Sequence, residues 1–183
     1  MKTNILARTA VAVTAAAIAT TITAGAATTR LVKYNAGSMT VARNASGWCW
    51  TSSIASTRTD AYRCMAGNEI YDPCFTRGTS SVVCPENLVN NSGLALKLTK
   101  PLPPPASPLA AQPWAMVLAG RKTCNRGTGT IDPNYPFYCQ GIEGACSSPN
   151  RSTSGKELFA ACSATPEAKT KKLSHWVVTA VYE

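Results

Sequence analysis

The chain has 183 residues, 45% of them hydrophobic and 15% charged, a balance that excludes an intrinsically disordered polymer. Lys and Arg number 18 against 9 Asp and Glu, a formal net charge of +9, so the partners this charge draws in are anionic. A single histidine, and cysteines never closer than seven positions apart, exclude the usual zinc-ligand spacings, so neither a metal nor any other cofactor is expected.

Read from its start, the chain opens like a secretory signal. Lys2 and Arg8 supply positive charge, Ala10 to Ala19 form an apolar stretch broken only by Thr14, and Ala24-Gly25-Ala26 fits a small-residue cleavage site. The stretch is too short, and too interrupted by Thr14, Thr20, Thr21 and Thr23, to serve as a spanning helix. Residues 1–26 are therefore expected to be removed, with Ala27 first in a mature product that is not an integral membrane protein. That product keeps 16 of the 18 cationic residues and all 9 acids, a net charge of +7. Its cations are scattered, apart from Arg121-Lys122 and the group Lys169, Lys171 and Lys172, which reads as a solvated basic surface. Aromatics are not interleaved with cations in any nucleic-acid module, so no nucleic-acid partner is expected.

Residues 27–47 are small and polar and read as a flexible N-terminal arm. From Trp48 to the end, short apolar runs alternate with turn residues, which predicts a mainly β domain of short antiparallel strands with little helix. Leu94, Leu96 and Leu98 alternate with Ala95, Lys97 and Thr99, and Trp114, Met116 and Leu118 repeat that period of two. The run Trp176 to Tyr182 is apolar on both faces and predicts a central, buried strand. Gly67-Asn68, Arg77-Gly78, Gly127-Thr128-Gly129 and Asp132-Pro133-Asn134 are the expected turns. Lys156 to Ala161 fits one or two helical turns or a strand equally well. The Pro-rich segment 101–113 favours extended polyproline II; it reads as a stiff loop within one domain, 48–183, in preference to a linker between two modules that would each be marginally stable.

Eight cysteines, Cys49, Cys64, Cys74, Cys84, Cys124, Cys139, Cys146 and Cys162, follow the signal segment, an even number that predicts four disulfides in an oxidising compartment. Eight cysteines permit roughly a hundred pairings, and sequence alone does not choose among them. Cys49 to Cys64 and Cys124 to Cys139 each span 15 positions and Cys74 to Cys84 spans 10, lengths that close hairpins, so pairing of each cysteine with its next neighbour is preferred.

The runs Cys49 to Ser56, Asp60 to Cys64, Gly67 to Phe75, Val83-Cys84 and Leu96 to Leu102 carry a resemblance. Over about residues 48–125 the chain resembles a family of uncharacterised bacterial exported proteins, secreted or envelope-bound and rich in cysteine. The resemblance implies export from a bacterium and no known activity. Beyond residue 140 the chain departs from that pattern, because Cys146 and Cys162 have no counterpart in it.

Candidate chemistry is sparse. A serine or cysteine nucleophile needs a positioned base, and His175 is the only histidine, opening an apolar strand with no Gly-x-Ser-x-Gly elbow anywhere in the chain. Asp60, Glu69 and Asp72 are the densest acidic group, the set a carboxylate-dependent hydrolase would draw on. Trp48 and Trp50 flank Cys49, so on a strand they share one face while the cysteine points the other way. Two such indoles form either a ligand-stacking platform or core packing on a disulfide, and the prevalence of aromatics in cores favours the second. With no credible catalytic set, the expectation is an exported, extracytoplasmic, non-catalytic protein that binds an envelope component such as an anionic polymer, a ligand or another protein. A secreted hydrolase using carboxylates and a secreted enzyme inhibitor are the alternatives.

Overall fold

A computed structural model describes residues 28–151, 157–164 and 172–183; the expected signal segment lies outside the described residues. The fold is mainly β, with a single 3-10 turn and no α-helix among the described residues.

The chain enters through strand β1 (Arg30–Val32) and a 3-10 turn, Ala36–Ser38, capped by Asn35, whose side chain accepts the Gly37 amide at 2.9 Å. Of the segment 27–47, expected to be a flexible arm, the described part, 28–47, is docked instead. β1 pairs in parallel with the last strand, and Tyr34, Ala36 and Met39 are buried. The arm also contributes the first half of β2 (Thr40–Ser52), whose polar residues belong to the outer side of a wall. Composition misled here because a few buried apolar groups and a full set of backbone hydrogen bonds suffice to hold a polar segment.

β2 is followed by β3 (Ala61–Ala66), β4 (Glu69–Thr76), β5 (Ser81–Asn87) and β6 (Ser92–Leu98), each antiparallel to its predecessor. The five close into a barrel. An odd number of alternating strands leaves the first and last running the same way, so the seam between β2 and β6 is parallel, from Thr40 opposite Ser92 to Gly47 opposite Leu98. Gly67-Asn68 forms the β3–β4 turn and Arg77-Gly78 lies in the β4–β5 turn, with Gly67 at φ 60° and Gly78 at φ 82°, the left-handed region that glycine enters without strain. Gly47 serves close approach: a Cβ there would run into the Met65 carbonyl oxygen across the barrel wall. Leu94 and Leu96 fill the barrel, while Lys97 between them and Leu98 is exposed, the alternation expected for this strand.

The Pro-rich segment leads to β7 (Ala115–Leu118), β8 (Lys122–Arg126), β9 (Phe137–Cys139), β10 (Ala145–Cys146), β11 (Asn150–Arg151), β12 (Leu158–Ser163) and β13 (Leu173–Tyr182). Their pairings run β7–β8–β9–β10–β12–β13 and return from β13 to β7, a six-membered ring. An even number lets every seam be antiparallel. β11 continues the line of β10 along β12, so the two act as one interrupted strand. The segment that fitted helix or strand is a strand in its described part, within β12. β13 is central, bonded to β1, β7 and β12, and its buried half runs from Val178 to Tyr182.

All four disulfides join sequence neighbours: Cys49–Cys64, Cys74–Cys84, Cys124–Cys139 and Cys146–Cys162. Each staples adjacent antiparallel strands, with Cα atoms 3.9–4.1 Å apart. The first two lie in the barrel core with Leu94 and Leu96, the last two in the ring core with Met116, Phe137 and Val178. A third core binds the halves together. Tyr34, Phe75, Val83 and Leu88 from one side meet Trp114, Ala115, Val117, Ala180 and Tyr182 from the other. Trp114 sits at its middle, its ring centroid 5.2 Å from Phe75, 5.4 Å from Tyr34 and 5.8 Å from Tyr182. β7 and β13 serve both sides of the ring wall, with Met116 and Val178 facing inward and Ala115 and Ala180 facing the shared core.

Candidate functional site

Trp48 and Trp50 stand on the outer side of β2, while Cys49 between them points into the barrel core. Neither indole belongs to any of the three cores; both are half-buried. Their ring centroids are 5.7 Å apart with planes at 59°. A cation covers each ring: Lys100 Nζ lies 4.0 Å from the Trp48 centroid and Arg63 Cζ lies 5.6 Å from that of Trp50. Such contacts stabilise each cation by about 0.5–1 kcal/mol at exposed sites and hold it beside the ring face.

Local structure explains the arrangement. Cys49 opposes Cys64, so the antiparallel register brings Arg63, one position before Cys64, alongside Trp50; a bulge between Cys49 and Thr51 displaces the indole within that register. Lys100 arrives from the parallel seam, where Thr99 donates its amide to the Gly47 carbonyl at 2.7 Å. The same seam places Lys97 opposite Ser46, two positions before Trp48. There a groove of about 570 Å³ is lined by Asn44, Ser46, Ser81, Arg77 and Lys97 together with apolar wall residues, and no acidic side chain lines it. Indoles, two covering cations and two further cations thus follow one another along β2. Sequence reading singled out the indoles and missed Arg63, Lys97, Lys100 and Arg77. Arg63 was within reach, because neighbour pairing of Cys49 with Cys64 already implies its place; Lys97 and Lys100 needed the parallel seam.

The three acids do not form a catalytic pair; each has its own partner. Asp60 takes a two-pronged ion pair from Arg58, at 2.6 and 2.8 Å. Glu69 is hydrogen-bonded by Tyr71 and lies 3.5 Å from Arg43, which also binds Glu86, and these contacts, Tyr71 first, hold its carboxyl below the ordinary value. The Asp72 side chain is 1% exposed. It accepts hydrogen bonds from the Ser53 hydroxyl and the Ile54 amide, and Ser53 Oγ in turn accepts the Ala55 and Ser56 amides at 3.1 and 2.9 Å. Burial pushes the Asp72 carboxyl above the ordinary range, against those hydrogen bonds and the positive charge of Arg63. Its evident work is structural: it organises the turn after β2.

His175 lies exposed on β13 opposite Ala161, and among the described residues no carboxylate is bonded to it. A cavity of about 620 Å³ lies between β1, the 57–60 loop and the Pro-rich segment, with Lys33, Arg58, Asp60 and Glu183 in its lining. Its charges are mixed, and Arg58 and Asp60 neutralise one another. Three sulfurs, of Cys139, Cys146 and Cys162, lie within 4.8 Å of one another, but all belong to disulfides and so lack the thiolate a metal requires. No helix among the described residues is long and apolar enough to cross a membrane. Comparison with protein-family models, with curated proteins and with solved structures finds no match to this chain.

Proposed function

We propose that this is an exported, non-catalytic binding protein that holds an anionic glycan of the cell envelope against Trp48 and Trp50. One observation carries the reading: two neighbouring indoles lie outside every core, each covered by a cation, beside a groove free of acids. Sugar rings stack their apolar faces on indoles, while Lys97 and Lys100 offer charge to carboxylate or phosphate groups. The net positive charge adds long-range attraction to such a polymer. Export is supported by the pattern of residues 1–26, and four disulfides suit an oxidising compartment.

Retention of the purified protein on an immobilised carboxylated polysaccharide, with neutral dextran as control, tests this at low and high salt. The wild type should be retained by the acidic polymer alone, less at high salt, and Trp48→Ala/Trp50→Ala should weaken retention at least tenfold. Equal retention of that variant and the wild type would overturn the reading.

A further inference from the structure

The two disulfides of the ring touch. Cys139 Sγ of the first and Cys146 Sγ of the second are 3.2 Å apart, a non-bonded contact between sulfurs of different bridges. Cys162 Sγ lies within 4.8 Å of both. The four sulfurs therefore form a chain, Cys124–Cys139 next to Cys146–Cys162, inside a core that excludes water, with Cys124, Cys146 and Cys162 at most 1% exposed and Cys139 at 9%. Packing brings this about: β9 and β10 are neighbours, Cys146 opposes Phe137, and both cysteines are turned into the ring. No corresponding contact joins the two barrel bridges among the described residues, although they too share one core.

We infer that the ring disulfides form a thiol–disulfide exchange pair, in which reduction of either bridge moves the surviving bond to Cys139–Cys146. The chemistry balances as follows. Two molecules of an external monothiol reduce one bridge, for instance Cys124–Cys139, and leave as their own disulfide, delivering two electrons and two protons. The Cys139 thiolate then attacks Cys146 Sγ; the Cys139–Cys146 bond forms and the Cys146–Cys162 bond breaks. The leaving Cys162 thiolate takes up the proton that Cys139 gave up. If Cys146–Cys162 is reduced first, Cys146 attacks Cys139 and Cys124 leaves, so the two routes converge on the same product. Exchange of this kind proceeds by attack of a thiolate on a disulfide sulfur, and preplacement of nucleophile and target makes the step intramolecular. The product carries thiols on β8 and β12 and a bridge between β9 and β10, so one reduction event loosens two seams of the ring at once. The inference is independent of what the indoles bind.

Limited reduction with a monothiol, rapid alkylation and peptide mapping without further reduction tests it on the intact protein. Cys139 and Cys146 share one tryptic peptide, and Glu143 between them gives a second cleavage point that reveals a bridge joining its two parts. In molecules bearing two labels in the ring, the labels should fall together on Cys124 and Cys162, with the parts on either side of Glu143 linked. Labels on Cys124 with Cys139, or on Cys146 with Cys162, would overturn the inference. A variant provides a check free of reduction: Cys124→Ser/Cys162→Ser should fold with no titratable thiol at Cys139 or Cys146, whereas two free thiols there would count equally against it.

Discussion

The barrel of β2–β6 and the ring of β7–β13 solve one problem in two ways. Each encloses a core lined by two cross-strand disulfides, and each holds one bridge of 15-residue separation. They differ in parity. Five strands force a parallel seam between β2 and β6, and that seam brings Lys97 and Lys100 beside the strand that carries the indoles. Six strands close antiparallel throughout, and the short β9 and β10 bring two bridges into contact. Similar staples thus leave the barrel with a decorated outer wall and the ring with a reactive interior. The lesson is that bridge chemistry is set by which strands adjoin, more than by the spacing of the cysteines.

The comparison breaks most severely at the shared core. Trp114→Ala removes the ring that touches Tyr34, Phe75 and Tyr182 and should cost about 3–5 kcal/mol, seen as a lower midpoint in urea denaturation. If barrel and ring then unfold in separate transitions, Trp114 is what joins them. Removing one staple from each half asks whether they contribute alike. Cys74→Ser/Cys84→Ser and Cys146→Ser/Cys162→Ser should each cost about 3 kcal/mol, since their loops of 10 and 16 residues differ little in closure entropy. A much smaller loss in the ring would show that Cys124–Cys139 holds it without the second staple.

Asp72→Ala leaves the Ser53 hydroxyl and the turn amides without their acceptor and should cost about 1–3 kcal/mol, measured by the same denaturation. Asp72→Asn keeps an acceptor and removes the titration. Because burial raises the folded-state pKa of Asp72 above its unfolded value, the folded protein holds that proton more tightly. The resulting stabilisation is complete below the ordinary carboxylate range, about pH 4, and is lost as pH rises through the raised value. Wild-type stability should therefore fall relative to Asp72→Asn across that window, and parallel pH profiles would refute it. The smallest effect is expected on the outer wall: Lys100→Ala removes the cation over Trp48 and should change stability by about 1 kcal/mol or less while weakening retention on the acidic polymer.

Much of this architecture was legible in local signals. Alternation at Leu94, Leu96 and Leu98 identified β6, and the turn glycines at positions 67 and 78 marked hairpins whose geometry needs a left-handed residue. Hairpin-length spacing pointed to the disulfide pairing that the strands display. The segment 27–47 was misread because its order comes from partners far along the chain: Val32 lies beside Tyr182, and Arg43 beside Glu86. The acids around two cysteines were grouped by proximity in sequence, yet one is buried under Ser53 and two pair with different arginines.

By itself the sequence determined a β protein with two indoles on one side of a strand and favoured neighbour-paired staples, because these follow from residues no more than 16 positions apart. Closure was decided only in the tertiary structure. Strand periodicity says which side chains share a face, but not which edge a face adjoins, so neither the parallel seam that lends the indoles their lysine nor the contact between Cys139 and Cys146 is written in any local stretch. Both arise when a sheet bends round to meet its own first strand, and that depends on the whole chain.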